Sequence, residues 1–153
     1  MKVVKKNIID CILIGFKGVN YLLPSVAFAE IGLNSEFQPE DKLPVLGAMQ
    51  WRGFSLPVVA PDLSVDEKLD TNRSTYAVLN ALFSNKLLVP YIGLIIERHP
   101  ARLKVKPQDI TWIDEDKQLA LYAKEGALPK ELVMIDLQKL SSIVESVTSH
   151  KSP

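Results

Sequence analysis

The fold is decided by the stretch Gly47-Ala48-Met49-Gln50-Trp51-Arg52-Gly53-Phe54-Ser55-Leu56-Pro57-Val58-Val59. An apolar run leads into the turn-like pair Arg52-Gly53, and every second residue over 54–58 is then apolar, at the period of a strand. The pattern predicts two strands joined by a tight turn. Pro57 has no N–H to give to a strand ladder, so we expect the second strand to lie at a sheet edge or to contain a bulge.

Arg52 is the residue of this stretch that points to a function. An arginine between two apolar strands cannot be fully buried without a partner charge, and at a turn its planar donors face another surface. Two interpretations follow from the residues alone. Arg52 is either an interaction residue or a brace that holds the fold together through carbonyl groups and Glu30.

The segment before this stretch offers Arg52 an acidic partner. If it is extended, Val26, Phe28 and Glu30 share one face, because strand side chains alternate. The two apolar residues would turn this face toward the core, and a carboxylate beside them needs a cation or a donor. We therefore predict an ion pair between Glu30 and Arg52, at the rim of a groove between two lobes.

The rest of the N-terminal half contains a hairpin pattern and two polar stretches. Residues 7–16 are rich in isoleucine and are followed by a turn at 17–20 and a second apolar run at 21–23, which predicts a β-hairpin. Residues 32–43 are polar and rich in structure breakers, so we expect a loop. Residues 64–74 are the most polar stretch of the chain and are predicted to link the two lobes.

The C-terminal half contains further short strand patterns and one helix pattern. We expect strands in the runs 75–83, 87–96, 102–106, 119–123 and 132–135, with turns at 84–86 and 114–116. Basic residues alternate with apolar ones over 102–106, which is typical of a strand with a solvated face. From Asp136, apolar residues recur at spacings of three and four, which predicts an amphipathic helix capped by Asp136. Many short strands separated by turns favour small β-barrels.

Composition limits the class of protein. The chain has 153 residues, 47% of them hydrophobic, which suits a single globular domain. Eighteen basic and eighteen acidic residues cancel, so no charge excess attracts nucleic acid or an anionic membrane. No apolar run approaches the roughly 18 residues that span a bilayer, and the basic N-terminus lacks a signal-peptide cleavage site. We expect a cytoplasmic protein with protein partners.

The sequence is poor in reactive groups. Its single cysteine, Cys11, lies in an apolar run and is predicted to be buried in a strand. The two histidines, His99 and His150, have no further ligand at zinc-site spacing, and the glycines form no phosphate-binding loop. The acidic runs 66–67 and 114–116 lie in polar segments, where carboxylates are usually hydrated. We predict no catalytic residue, no metal and no cofactor.

The central stretch resembles the signature of the CheW-like family of chemotaxis coupling proteins. The residues that fit that signature are Gly47, Met49, Trp51, Arg52, Gly53, Pro57 and Val58. Family-like segments also occur at 21–31, 43–44, 92–97 and 133–140 in the expected order, so the resemblance covers about 7–143. Two departures, Ala60-Pro61 and Glu97-Arg98-His99, suggest a divergent member, for which a type IV pilus chemosensory system is one candidate origin.

The resemblance implies a mainly β fold of two small five-stranded barrels that share a hydrophobic core, with a short C-terminal helix. One domain would then occupy 1–153. It also implies a non-catalytic adaptor, without cofactor, that couples the cytoplasmic tip of chemoreceptors to a CheA-type histidine kinase in chemotaxis or twitching motility. The family's receptor-binding groove corresponds here to Phe28, Glu30, Gly47 and Arg52, whereas the kinase docks on apolar barrel ends.

Two other classes of function fit parts of the sequence. A small β-barrel with basic strands could bind single-stranded nucleic acid, although near-neutral charge and 7% aromatic residues argue against this. A small enzyme or ligand sensor would need convergent polar residues, which the sequence does not group.

Overall fold

The computed structural model of the chain describes residues 8–33, 37–42, 45–62, 75–80, 91–97, 100–124, 126 and 128–148. Within them the chain forms two mixed β-sheets of six strands each and one helix near the C-terminus. The predicted linker at 64–74, the turn at 84–86, His99 and His150 lie outside the described residues.

The first sheet is built from the two ends of the chain. Its strands are β1 (Ile9–Phe16), β2 (Val19–Pro24), β9 (Ala101–Val105), β10 (Ile110–Asp114), β11 (Leu119–Tyr122) and β12 (Lys130–Met134). Their order is β10-β11-β12-β2-β1-β9, and all neighbours are antiparallel except β12 and β2. The predicted hairpin of β1 and β2 is confirmed, and its turn residues Lys17 and Gly18 both have positive φ.

The second sheet is built from the middle of the chain. Its strands are β3 (Phe28–Leu33), β4 (Phe37–Lys42), β5 (Val45–Trp51), β6 (Phe54–Val59), β7 (Thr75–Asn80) and β8 (Tyr91–Ile96). Their order is β3-β7-β8-β6-β5-β4, with β6 and β8 as the parallel pair. The ring of Phe37 on β4 stacks on that of Tyr76 on β7 at 6.0 Å, although three strands separate them in the sheet order. The sheet is therefore curled like a barrel.

The two sheets share one core across β1. Its side chains alternate, so that Ile12, Ile14 and Phe16 pack with residues of the second sheet, while Cys11 faces a smaller cluster within the first sheet. Because both faces of β1 are buried, its sequence is an almost unbroken apolar run. The smaller cluster also holds Leu22, Val105, Tyr122 and Leu132.

The helix α1 (Leu137–Thr148) closes the shared core. Its side chains at Leu137, Leu140 and Val144 are buried against residues of both sheets. The carboxylate Oδ1 of Asp136 accepts a hydrogen bond of 3.1 Å from the Lys139 backbone N–H, which confirms the predicted cap.

Glu97 joins the two sheets just beyond the end of β8. Its backbone N–H donates to the carbonyl of Gly15 at 2.9 Å, and its carboxylate accepts from the Lys17 backbone N–H at 2.5 Å. The β1–β2 turn is thus tied to the second sheet by two hydrogen bonds.

The prediction that β6 is an edge strand or contains a bulge is wrong, because β6 lies between β5 and β8 in regular register. The two-residue turn makes Trp51 and Phe54 a hydrogen-bonded pair. Since such pairs alternate along an antiparallel ladder, Pro57 lies opposite Ala48 in a pair that needs no hydrogen bond. The pairing with β8 begins one residue later, at Val58, so the missing N–H is tolerated inside the sheet.

Two further sequence predictions fail on the segment from Pro24 to Lys42. Val26 lies in a 3-10 turn (Ser25–Ala27) and is 80% exposed, so it does not share a buried strand face with Glu30. A register irregularity between Phe28 and Glu30 also breaks the assumed alternation. The predicted loop at 32–43 is largely replaced by the end of β3 and by β4, a polar edge strand that contains Pro39.

Candidate functional site

The predicted contact between Glu30 and Arg52 is present and involves a third residue. Arg52 Nη2 donates to Glu30 Oε1 at 2.5 Å, and the indole Nε1–H of Trp51 donates to Glu30 Oε2 at 3.0 Å. Both carboxylate oxygens therefore have a donor. The predicted ion pair is confirmed, and the indole contact is an addition that the sequence analysis did not foresee.

The curl of the second sheet brings these residues together. Glu30 lies on β3, an edge strand, whereas Trp51 and Arg52 lie at the β5–β6 turn, and β7 and β8 separate β3 from β6 in the sheet order. The contact therefore bridges distant strands at one end of the barrel. Its position therefore depends on the fold of the whole second sheet.

The pair is accessible to solvent and electrostatically stabilised. The side chains of Arg52 and Glu30 are 66% and 37% exposed. Hydrogen bonds from Trp51 and then from Arg52 hold the pKa of the Glu30 carboxyl below its usual range, because both favour the charged form. Exposed ion pairs contribute little to folding, so this contact adds little to stability, although it fixes the position of one guanidinium nitrogen.

The backbone of Arg52 is in a conformation that arginine does not favour. Its φ is +49° and that of Gly53 is +83°, as in the two-residue turns that prefer Asn-Gly or Asp-Gly. A left-handed backbone at a residue other than Gly, Asn or Asp carries a conformational cost. Lys17 has a similar φ of +51° at the equivalent position of the β1–β2 turn, so the backbone conformation alone assigns no role to the Arg52 side chain.

Three aromatic rings surround the turn. The Trp51 ring lies 4.7 Å from that of Tyr91 and 6.4 Å from that of Phe54, measured between centroids, and Phe54 lies 5.9 Å from Tyr91. Cζ of Arg52 is 5.2 Å from the Trp51 ring centroid, within the range of a cation–π contact. Phe54 is 41% exposed. We call Trp51, Arg52, Phe54 and Tyr91 the turn cluster.

Part of the turn cluster could have been predicted from the sequence. Trp51 and Phe54 are the closing pair of a two-residue hairpin, and directly opposed residues on a sheet share a face, so their contact could have been predicted. Tyr91 joins only because β6 and β8 pair in parallel, and a local sequence pattern does not contain that non-local pairing.

The other two predicted site residues lie within the second sheet. Gly47 is buried in β5, where an added Cβ would meet the backbone oxygen of Gln38 and approach a ring carbon of Phe37 to 2.7 Å. Phe28 is half-buried and packs against the shared core at the start of β3. Gly47 thus allows β4 to pack closely, while Glu30 and Arg52 supply the polar chemistry.

A cavity of about 490 Å³ lies elsewhere on the molecule, between the two sheets and the first turn of α1. Its apolar lining includes Leu94 and Met134, and its charged lining includes Asp62, Lys117 and Lys139. None of the four predicted site residues lines it. The location of the ion pair at a groove between the lobes stays a prediction.

Candidate metal sites and membrane spans are absent from the described residues of the chain. Over those residues, no group of three or more His, Cys, Asp or Glu side chains could hold a metal ion. No helix there is both long and apolar enough to cross a bilayer. Cys11 is buried, as predicted, and burial, followed by the nearby charge of Asp10, raises the pKa of its thiol.

Comparison with known proteins identifies the fold. No protein-family model matches the chain, and no curated protein matches it in sequence. Among solved structures, the chain is similar to the scaffolding protein TtCheW from Thermoanaerobacter tengcongensis, with a TM-score of 0.62 and 16% identity. The match covers 86% of this chain and 91% of that one. The chain therefore has a CheW-like fold, mainly β with two lobes and a short C-terminal helix, as predicted. Within the described residues each sheet has six strands, where the resemblance implied five for each barrel.

Proposed function

We propose that this chain is a non-catalytic signalling adaptor that couples the cytoplasmic tip of chemoreceptors to a CheA-type histidine kinase in a bacterial chemosensory pathway. The observation that carries the proposal is the structural match, over nearly the whole of both chains, to a protein described as a scaffolding protein. We place the adaptor in the cytoplasm and assign it to chemotaxis or to twitching motility.

The surface around Arg52 supports a role in binding. The arginine is exposed and anchored by Glu30. We assign receptor binding to the groove of Phe28, Glu30, Gly47 and Arg52, in which Gly47 is buried and allows β4 to pack closely on β5. Arginine and aromatic side chains are enriched among residues that dominate the energy of protein interfaces, and the turn cluster supplies both.

The adaptor role is tested by reconstitution with a chemoreceptor and a CheA-type kinase from the same organism. The purified kinase is mixed with receptor in vesicles, and its autophosphorylation is measured with and without the adaptor. We expect a large rise in kinase activity only when receptor and adaptor are both present. Capture from native lysate should recover the same kinase.

A matched control separates binding from folding. Thr111→Ala changes an exposed polar residue on β10, in the other sheet and far from the turn cluster in sequence. It should support the kinase as the unmodified chain does, whereas Arg52→Ala should not. Recovery of nuclease-sensitive partners instead of a kinase, with no effect on phosphorylation, would contradict the adaptor role and favour nucleic-acid binding.

A further inference from the structure

We propose that the cavity between the two sheets and the first turn of α1 binds a small zwitterion with an apolar body, of which a free amino acid with an aromatic or aliphatic side chain is the simplest case. None of the four residues assigned to receptor binding lines this cavity, so the inference goes beyond the proposed function and does not depend on it. We call it the α1 cavity.

The α1 cavity has the size of a small-molecule site. Its volume is about 490 Å³, within the range of about 300–1,000 Å³ that ligand pockets occupy. Tyr21 and Met134 line it from the first sheet, Leu94 from the second sheet and Leu140 from the helix. A ligand in the cavity would therefore contact both lobes, and many ligand pockets lie between structural units in this way.

Part of the lining calls for an apolar group. Tyr21, Leu94 and Leu140 are buried, and Val133 and Met134 are half-buried. A ligand that covers these side chains removes further apolar surface from water. The thioether of Met134 also makes favourable contacts with aromatic rings. The lining therefore suits an aromatic or aliphatic body better than a sugar or an inorganic ion.

The rest of the lining carries charges of both signs. The charged residues that line the cavity are Asp62, Asp116, Lys117, Asp136 and Lys139. Because three carboxylates accompany two ammonium groups, the lining selects neither a simple anion nor a simple cation. A ligand that carries one charge of each sign is complementary to both sets of groups.

Several of these charges are available to a ligand. Within the described residues, the side chains of Lys117 and Lys139 form no ion pair, and only their backbone N–H groups take part in hydrogen bonds. The carboxylate of Asp116 has no hydrogen-bond donor there either, whereas Asp136 uses Oδ1 to cap α1. The two lysines can therefore bind a carboxylate, and Asp116 can bind an ammonium group.

The turn that carries Asp116 and Lys117 is ordered by the protein itself. Asp114 Oδ1 accepts hydrogen bonds from the backbone N–H groups of Asp116 and Lys117 at 3.0 and 3.3 Å. The Met134 N–H donates to the carbonyl of Gln118 at 2.8 Å, which ties the turn to β12. A preformed site loses less conformational entropy on binding than a loop that must first become ordered.

The test titrates the full chain with phenylalanine and with analogues that each lack one of its features. Hydrocinnamate lacks the ammonium group, phenethylamine lacks the carboxylate, and glycine lacks the apolar body. Binding is followed by NMR on the backbone amides of Lys117, Gln118 and Lys139. Nuclear Overhauser contacts from the ligand ring to the methyl groups of Leu94 and Met134 locate the ligand.

We expect phenylalanine to bind saturably with a Kd in the millimolar range, because a ligand with so few atoms can gain little affinity. Hydrocinnamate, phenethylamine, Lys139→Gln and Asp116→Asn should each weaken binding by about fivefold, the effect of losing one exposed ionic contact. Glycine should not bind measurably. The matched controls Lys106→Gln and Glu131→Gln change exposed residues outside the lining and should bind phenylalanine normally.

Three results would overturn the inference. Equal affinity for phenylalanine and hydrocinnamate would show a site for simple anions, and equal affinity for phenylalanine and phenethylamine would show a site for simple cations. The absence of saturable shifts, or ligand contacts away from Leu94 and Met134, would show that the α1 cavity is not a binding site. Arg52→Ala should bind phenylalanine normally, so the α1 cavity and the adaptor role are tested separately.

Discussion

The ring of Phe37 on β4 occupies the space that a side chain at position 47 of β5 would need. A Cβ built on Gly47 comes within 2.7 Å of a Phe37 ring carbon and closer still to the backbone oxygen of Gln38. Phe37 in turn stacks on Tyr76, whose side chain is fully buried. Because Gly47 has no side chain, β4 can pack closely against β5.

We predict that Gly47→Ala destabilises the fold by about 1–3 kcal/mol, the usual cost of overpacking a core. Chemical denaturation of the variant measures this, and the near-ultraviolet circular dichroism of the aromatic residues should change with it. Ser55→Ala, at an exposed position on the neighbouring strand β6, serves as the control. A variant as stable as the unmodified chain would show that β4 can shift without cost.

Local sequence was enough to predict the hairpins and the helix, because their signals lie within a few residues. Arg52-Gly53 is a two-residue turn between strand patterns, and Asp136 precedes an apolar periodicity. The loop predicted at 32–43 contains the strand β4. Its proline and charged residues are typical of loops, but they also protect edge strands such as β4. The interior position of β6 could not be predicted, since its partner β8 lies far along the chain and pairs in parallel.

The candidate site could likewise be predicted only in part. The Glu30–Arg52 pair was predicted from the need of a carboxylate for a cation, and the curled sheet supplies that contact. The reasoning that led to it was partly wrong, because Val26 is exposed in a 3-10 turn instead of sharing a face with Glu30. The role of Tyr91 depends on pairing between distant strands and was missed.

We predict that Cys11 reacts slowly with a soluble thiol reagent in the native protein. It is 7% exposed on β1, and burial raises the pKa of its thiol, so little of the reactive thiolate is present at neutral pH. Labelling with a chromogenic disulfide measures the rate, and labelling in denaturant should be fast. Stoichiometric native labelling within seconds would contradict the buried position.

We predict that the Glu30 contact breaks only under acid conditions. Because hydrogen bonds from Trp51 and Arg52 lower the pKa of Glu30, the folded state binds its proton less readily than the unfolded chain does. The stabilisation is therefore complete above the ordinary glutamate pKa of 4.5 and is lost as the pH falls through the lower folded value.

The pH dependence is measured on the indole N–H signal of Trp51, which donates to Glu30. Its chemical shift should titrate with a midpoint below 4.5, and Glu30→Gln should abolish the titration. The Trp112 signal provides the reference in the same sample. A midpoint above 4.5 would mean that the carboxylate lacks these donors in solution.

The last prediction separates the two interpretations of Arg52, an interaction residue or a brace. Because its ion pair is exposed and its backbone has positive φ, Arg52→Ala should leave the melting temperature almost unchanged. Arg52→Asn should raise the melting temperature or leave it unchanged, since asparagine is favoured at this position of the turn. Both variants lose the guanidinium, so their affinity for the receptor tip or the kinase should fall about thirtyfold.

Thermal unfolding and a binding titration on the same preparations measure the two effects. Lys17→Asn, at the equivalent position of the β1–β2 turn, provides the matched control, and we expect it to bind normally. If both variants unfold at lower temperature while the folded fraction binds normally, Arg52 is a brace and the binding surface lies elsewhere.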